Sequence, residues 1–343
     1  MTKMMRSRKG VLRVVLVAIV SLFISVSMGR AQDKKLAPFN VSYASTSGMR
    51  VPLWIAKENH LYEKYGLDAK VIHIPSGNTA ISALITGEID VISGSGSSSV
   101  VAAGRGLPLI IVGSFGSTIY KLVANSGIST IRDLKGKTAG TSRPGSTTDF
   151  ALRKALSKLG LVPDRDIKIL PTGVGEAEKR ILMMVQGRMD ATLASPESIY
   201  SAETEGGAKL EILADLEDLG IYNTVGDLST RRDLLKTRRD QLLGFFMASS
   251  EAIWTGKKNK ESALKVISKY MRTQDPKRLD LIYEASLGRM PAKPYPREEA
   301  VRLELENIAF TDPQFKGKKA SDFMDNSILV ELESKGFFDR LHR

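Results

Sequence analysis

The chain has 343 residues, a formal net charge of +12 at pH 7 and no cysteine. The lack of cysteine excludes disulfides, thiolate metal sites, cysteine nucleophiles and a lipid-modified N-terminal cysteine. His60, His73 and His342 fall in a predicted helix, a predicted strand and the C-terminal tail, so they indicate neither a catalytic triad nor a histidine metal site. We therefore expect no metal, no cofactor and no enzyme.

Residues 1–31 have the three parts of a secretory signal. A basic start is followed by an uncharged stretch over 14–27 and by the small residues Gly29 and Ala31. We predict cleavage after Ala31 and export to the periplasm; the alternative is an uncleaved membrane anchor. Cleavage removes six basic and no acidic residues, which lowers the charge from +12 to +6. That charge suits either solubility or an anionic ligand and does not indicate nucleic-acid binding.

Strands and helices are predicted to alternate after the signal, which is typical of a parallel sheet. The predicted strands and helices of the first half are a strand at 40–44, a helix at 51–65, a strand at 70–74, a helix at 79–86, a strand ending at Ile92 and a strand at 109–114. Each is followed by a glycine that would end the element or by a loop of small residues.

The same pattern is written a second time further along the chain. YGLDAKVIHIPSG and ALITGEIDVISGS in the first copy correspond to LGLVPDRDIKILPTG and MMVQGRMDATLAS in the second. Gly87 and Asp90 correspond to Gly187 and Asp190. Duplicated α/β units favour two similar lobes with a cleft between them.

We therefore predict an α/β protein of two lobes, each a mainly parallel sheet flanked by helices. Residues 36–119 together with 228–343 form the first lobe, and residues 122–225 form an inserted second lobe. Two chain crossings, near Tyr120 and Gly226, are predicted to act as a hinge.

Loops rich in Ser, Thr and Gly follow the predicted strands of both copies. In open α/β sheets ligands bind beyond the carboxyl ends of the strands, where hydroxyls and backbone N–H groups at helix starts favour an anion. Ordinary helix caps and turns are the better explanation of any one of these loops, but four at one edge favour a site. The candidates are Ser45, Thr46, Ser47, Gly48, Ser76, Asn78, Ser95, Gly96, Ser97, Arg143, Gly145, Ser146 and Thr147.

Other candidates have weaker support. Glu176 and Glu197 fall in cleft-side loops of the second lobe and would receive a cationic or hydroxylated ligand, although a solvated carboxylate fits each equally well. Phe115 follows a buried strand and would form a wall of the cleft, although packing in the core is the commoner role of such a ring. Ser195 stands in the second copy where Ser95 stands in the first.

Several runs resemble the solute-binding proteins of ABC importers for nitrate, sulfonate, taurine and thiamine precursors. They are SGMRVPLWIAKENHLYEKYGLDAKVIHIPSGNTAISALITGEIDVISGSGSSS, DLKGKTAGTSRPGSTTDFALRKAL, QGRMDATLASPESIYSAETEGGAKL and ESKGFFD. The resemblance covers the mature chain. It implies a type II periplasmic-binding-protein fold that captures a ligand without chemistry, acts as a monomer, and delivers the ligand to an ABC permease with a cytoplasmic ATPase.

The resemblance also implies which loops hold the ligand. They are 45–50, which includes Met49, then 95–97, 145–148 and 195–197. Sulfonate binders often have an aromatic residue and an Asp just before the proline at position 196, where this chain has Ala194 and Ser195. The ligand, expected to be a small organic anion or zwitterion, stays open at this stage.

Two other functions compete with transport. One is an enzyme similar to the pyrimidine synthase of thiamine biosynthesis, which relies on a cysteine-rich motif that this chain lacks. The other is a periplasmic binding protein that feeds a membrane sensor.

Overall fold

The computed structural model describes residues 35–94 and 96–341. The predicted signal at 1–31 and the candidate Ser95 lie outside the described residues. In the described part of the chain, no helix is long and apolar enough to cross a membrane.

Ten strands form two five-stranded sheets, with the order β2-β1-β3-β10-β4 in the first and β7-β6-β8-β5-β9 in the second. The strands are β1 Ala37–Tyr43, β2 Leu67–His73, β3 Val91–Ser93, β4 Leu109–Ser114, β5 Lys121–Asn125, β6 Thr138–Thr141, β7 Lys168–Pro171, β8 Ala191–Ala194, β9 Leu210–Asp215 and β10 Asp227–Arg231.

Each sheet has four strands in one direction and one strand reversed. In the first sheet β1 pairs in parallel with β2 and β3, and β10 runs antiparallel to β3 and β4. In the second sheet β6 pairs in parallel with β7 and β8, and β5 runs antiparallel to β8 and β9. The predicted mainly parallel sheets are confirmed. In both sheets the reversed strand is the first one after the chain crosses from the other sheet.

The helices cover the faces of the sheets and make up most of the chain after β10. They are α1 Val51–Glu58, α2 Leu61–Lys64, α3 Gly77–Thr86, α4 Ser97–Gly104, α5 Thr147–Lys158, α6 Ala177–Val185, α7 Pro196–Thr204, α8 Leu234–Thr237, α9 Arg239–Lys258, α10 Lys260–Met271, α11 Pro276–Ala285, α12 Glu298–Thr311, α13 Ser327–Ser334 and α14 Phe337–Leu341. Short 3₁₀ turns cover Gly48–Arg50, Ile131–Leu134, Leu287–Arg289, Pro313–Phe315 and Ala320–Phe323.

The prediction of a single helix over 51–65 was wrong. The chain leaves the helix after Glu58 and starts α2 at Leu61, because His60 takes a left-handed conformation with φ of 52°. This turn lets α2 bury Leu61 and Tyr62 against the core. Ser97, predicted to lie in a loop, is instead the first residue of α4.

The two largest hydrophobic clusters among the described residues each lie against one sheet. The larger one includes Phe39, Trp54 and Phe245 and packs β1, α1 and α9 together. The other includes Leu122 and Leu152 and packs β5 against α5. The exact lobe boundaries given above stay a prediction.

Two segments carry the chain between the sheets, and we call them the crossing segments: 115–120 from β4 to β5, and 216–226 from β9 to β10. They touch each other, since a Cβ added to Gly226 would lie 2.0 Å from the carbonyl oxygen of Gly116. The backbone N–H of Phe115 donates to the carbonyl of Gly226 at 2.9 Å. β4 and β9 end directly where the two crossing segments begin.

Candidate functional site

Loops of both sheets enclose a polar cavity of about 680 Å³, which we call the cleft cavity. The first sheet contributes the loops after β2 and β3, and the second sheet contributes the loop after β6. Seven predicted site residues line it: Ser76, Asn78, Ser97, Arg143, Gly145, Ser146 and Thr147.

Three helices begin at the cleft cavity. The first residues of α3, α4 and α5 (Gly77, Ser97 and Thr147) are all in its lining. The first N–H groups of a helix have no partner inside the helix, and the helix dipole adds partial positive charge at the same end. Arg143 is exposed at the rim and has no side-chain partner in the part of the chain described. Together these groups give the cavity a positive electrostatic environment that favours an anion.

Of these three helices, α4 is the one whose start has no side-chain cap. Ser76 and Ser146 cap α3 and α5 by accepting from the backbone N–H of Thr79 and Asp149, each at 3.3 Å. Gly96, at the cap of α4, has no side chain, and its φ is +51°. The start of α4 thus has no side-chain cap.

A contact between two hydroxyls joins the loops of the two sheets across the cleft. The Oγ atom of Ser97 lies 3.2 Å from Oγ1 of Thr147. Gly96 also approaches closely, since a Cβ added there would lie 3.1 Å from the same Thr147 oxygen. The two lobes are therefore in direct contact at the point where the helix starts converge.

Ser146 has a structural role in addition to its place in the lining. Its hydroxyl donates to the carbonyl of Arg143 at 2.7 Å and lies 2.8 Å from Oγ of Ser142. The same oxygen caps α5 by accepting from the N–H of Asp149.

Ser146→Ala is expected to lower the free energy of unfolding by about 1 kcal/mol, because an N-cap hydroxyl is lost. Chemical denaturation followed by circular dichroism measures this. Ser157→Ala, an exposed change within the same helix, is the control and should be near neutral. Equal stability of the two variants would contradict the capping role.

A second group of predicted residues surrounds a cavity of about 20 Å³, roughly the volume that holds one water molecule. Ser47, Gly48, Met49, Ser195 and Glu197 are all in its lining.

Three polar atoms at this small cavity are buried and have no hydrogen-bond partner in the described structure. They are Oγ of Ser47, Oγ1 of Thr118 and Oε2 of Glu197. Burial raises the pKa of the Glu197 carboxyl. Unsatisfied buried polar groups are uncommon in proteins, and they are typical of sites that bind a polar group.

The remaining predicted residues lie elsewhere. Phe115 is fully buried and, with Met49, lines a third cavity beside the crossing segments. Thr46 lines a separate cavity of about 650 Å³, and Ser45 is exposed. Glu176 is exposed at the start of α6, where its carboxylate pairs with Lys179. The hydrogen bond from Lys179 lowers the pKa of Glu176.

Four charged side chains are buried between and beside the strand ends: Arg50, Arg180, Asp227 and Glu304. Only Arg50 falls within a loop that the family resemblance implies, 45–50, and the sequence pattern points to none of the other three. No local pattern marks Glu304, since it lies on α12, far along the chain from the loops it faces. Arg180 would have been recognisable only as one basic residue among many in the sequence.

Arg50 is fully buried between the first sheet and a crossing segment. Its guanidinium donates to Oγ of Ser93 at 2.8 Å and to the carbonyl of Val225 at 2.7 Å. Burial lowers its pKa to about 10. The bond to Val225 ties the strand end of β3 to the second crossing segment.

Asp227 begins β10, directly after that crossing segment, and is 3% exposed. Neither of its carboxyl oxygens makes a hydrogen bond of good geometry, and burial raises its pKa to about 8. Glu304 is also buried, with Oε2 accepting from Oγ1 of Thr224 at 3.2 Å, and burial raises its pKa. Two carboxyl groups thus lie in the protein interior beside the crossing.

No group of three or more His, Cys, Asp or Glu side chains suited to a metal ion occurs among the described residues. The cleft cavity is lined instead by hydroxyls, helix starts and one exposed arginine, Arg143.

The family model for "NMT1/THI5 like" proteins matches residues 49–263. The chain belongs to the NMT1/THI5-like family. The match covers both copies of the repeated pattern and runs into α10.

Known sequences similar to this NMT1/THI5-like protein include two provisionally named binding proteins. One, from Brucella abortus (strain 2308), is 33% identical over 117 residues, which is 34% of this chain and 35% of that protein. The chain thus spans about a third of the length of this Brucella relative. The other, from Escherichia coli (strain K12), carries the name aliphatic sulfonates-binding protein and is 27% identical over 63% of this chain and 67% of its own length.

Solved structures show the fold. The periplasmic aliphatic sulphonate binding protein SsuA from Escherichia coli is 24% identical, with a TM-score of 0.66 over 84% of this chain and 92% of that one. The periplasmic nitrate-binding protein NrtA from Synechocystis PCC 6803 is 15% identical, with a TM-score of 0.68 over 88% and 89% of the two chains. The predicted periplasmic-binding-protein fold is confirmed.

Proposed function

We propose that this protein is the periplasmic solute-binding subunit of an ABC importer. It captures a small organic anion or zwitterion between its lobes as a monomer and delivers it to a membrane permease served by a cytoplasmic ATPase. The names of the relatives support this proposal, since sulfonate-binding and nitrate-binding proteins are among them.

The observation that carries the proposal is the convergence of three helix starts on the cleft cavity. Each start offers N–H groups, and the two lobes contribute different helices: α3 and α4 from the first sheet's side, α5 from the second's. An anion placed there is stabilised by groups from both lobes at once. A ligand that contacts both lobes favours the arrangement in which they are close.

Further contacts hold the lobes together on the side of α7 and α11. Arg278 on α11 pairs with Glu205, at the end of α7, at 3.2 Å. The Tyr200 hydroxyl donates to the carboxylate of Asp275 at 3.2 Å. These surface pairs are individually weak, so closure is governed by the ligand rather than locked by them. The permease would then recognise the closed pair of lobes.

Native mass spectrometry of the protein purified from the periplasm tests the proposal. We expect a co-purified mass that is lost on denaturation and belongs to an anion or zwitterion. Re-addition of that compound at a hundredfold excess over its Kd should raise stability by about 2.7 kcal/mol. If neither the native protein nor a panel of sulfonates, carboxylates, nitrate and amino acids shows any binding, the transport role loses its support.

Thr147→Val is expected to weaken binding of the cleft ligand about tenfold or more, because a hydrogen bond to a charged group contributes about 1.5–3 kcal/mol. Isothermal titration with the compound identified above measures this. Thr86→Val, an exposed change at the far end of α3, is the matched control and should leave affinity unchanged. Equal affinity of both variants would remove Thr147 from the anion site.

A further inference from the structure

A cavity of about 460 Å³ lies beside the two crossing segments, and we call it the crossing cavity. Its walls come from four parts of the chain: Met49, the first crossing segment, residues 217–222 of the second, and the stretch 285–297 from the end of α11 to the start of α12. None of the helix starts at the cleft cavity contributes to it. The volume falls in the range of small-molecule sites.

Aromatic rings form much of the wall. Phe115, Tyr120, Tyr222 and Tyr295 all line the cavity, together with aliphatic side chains and prolines. Phe115 is fully buried, but Tyr120, Tyr222 and Tyr295 are partly exposed and offer apolar ring surface to an aromatic ligand.

The charged residues of the wall are mostly basic. Arg289, Lys293 and Arg297 face a single lining carboxylate, Glu217. Arg289 pairs with Glu217, and Lys293 pairs with Glu333 from outside the cavity. Arg297 is the one lining cation without an ion pair among the described residues.

Arg297 is half-buried and its guanidinium lies over the Tyr222 ring, 4.6 Å from the ring centroid. No described acceptor takes a hydrogen bond from its side chain, although a guanidinium carries five donors. Asp227 interacts with it electrostatically but forms no ion pair with it, and burial raises the pKa of that carboxyl. Arg297 is therefore held at the cavity wall by the Tyr222 ring, with its donors unused.

We propose that the crossing cavity is a second ligand site, which binds a small aromatic anion with its carboxylate or sulfonate on Arg297 and its ring against Tyr222 and the other aromatic walls. A planar oxyanion matches the fork of a guanidinium in a bidentate pair. This site is separate from the cleft cavity and does not depend on the transport role proposed above.

Benzoate is the probe, titrated into the full-length mature protein by calorimetry. We expect saturable binding to the wild type and at least a tenfold loss of affinity in Arg297→Gln. Arg302→Gln is the matched control: it changes an exposed arginine of α12 that pairs with Glu299 and Glu306, and it should bind benzoate as the wild type does. Benzamide, which has the ring without the charge, should bind at least tenfold more weakly than benzoate.

A crystallographic measurement needs no variant to fold. The iodine of soaked 4-iodobenzoate gives an anomalous peak, which we expect in the crossing cavity next to Tyr222. A peak in the cleft cavity, no peak, or equal benzoate affinity in wild type and Arg297→Gln would overturn the proposal. Thr147→Val separates the two sites, because it should weaken the cleft ligand and leave benzoate binding unchanged.

Discussion

Gly94→Ala is expected to destabilise the protein by about 3–5 kcal/mol, the range for breaking a buried charged network. A Cβ at this position would lie 1.8 Å from Nη2 of Arg50 and 2.4 Å from its Cζ. The guanidinium has no free space to move into, since Arg50 is 0% exposed. It would lose its bonds to Ser93 and Val225 and leave a buried charge without partners.

Gly66→Ala separates this clash from backbone strain. Gly94 and Gly66 have nearly the same φ, +81° and +84°, but nothing lies within 4 Å of a Cβ added to Gly66. Both variants carry the left-handed strain of about 1–2 kcal/mol, and only Gly94→Ala adds the collision. Urea denaturation followed by circular dichroism gives the two free energies of unfolding.

A double variant completes the test. In an Arg50→Met background the clash is absent or much reduced, so Gly94→Ala should then cost only the strain seen at Gly66. If Gly94→Ala is no more destabilising than Gly66→Ala in the wild type, the guanidinium does not lie against Gly94 in solution.

The sequence predicts the fold well because the determinants of the fold are local and repeated. Alternation of apolar runs with Gly stops marks strands such as Leu109–Ser114, whose bounds match the prediction exactly as residues 109–114. The duplication shows that there are two sheets. The break at His60 was missed, since a left-handed histidine inside a helical pattern has no signature comparable to glycine or proline.

The candidate site was predicted only in part, and the reason is again physical. Ser97 and Thr147 lie in loops with a clear composition, and the structure brings them within 3.2 Å of each other. Glu304 and Arg297 come from the stretch after β10, where the sequence is helical and has no repeat. Their place beside the crossing segments depends on how the C-terminal helices pack, which no local pattern encodes.

Asp227→Asn is expected to flatten the dependence of stability on pH. The folded-state pKa of Asp227 is raised by burial from 3.8 to about 8, with Glu304 adding repulsion and Arg297 and Arg50 acting in the opposite direction. Between these values the folded protein holds a proton that the unfolded chain has released. Stability from this group is therefore present below about pH 4 and is lost as pH rises toward about 8.

The size of this loss of stability follows from the difference between the pKa of Asp227 in the unfolded and folded states. A shift of about four pKa units corresponds to on the order of 5 kcal/mol, since each unit is about 1.4 kcal/mol. The wild type should thus lose free energy of unfolding between pH 5 and pH 9, and Asp227→Asn should lose much less, because asparagine keeps the shape of the protonated carboxyl and does not ionise. Urea titrations at several pH values measure both curves.

Asp133→Asn is the control for the same type of substitution. Hydrogen bonds from Thr130 lower the pKa of Asp133, so its protonation contributes only at acid pH, below the measured window. This variant should keep the wild-type fall between pH 5 and pH 9. If Asp227→Asn and the wild type instead fall in parallel over that range, Asp227 is ionised in the folded protein. The Arg50 and Arg297 guanidinium groups would then compensate it, and Arg297 would no longer be free to bind an anion in the crossing cavity.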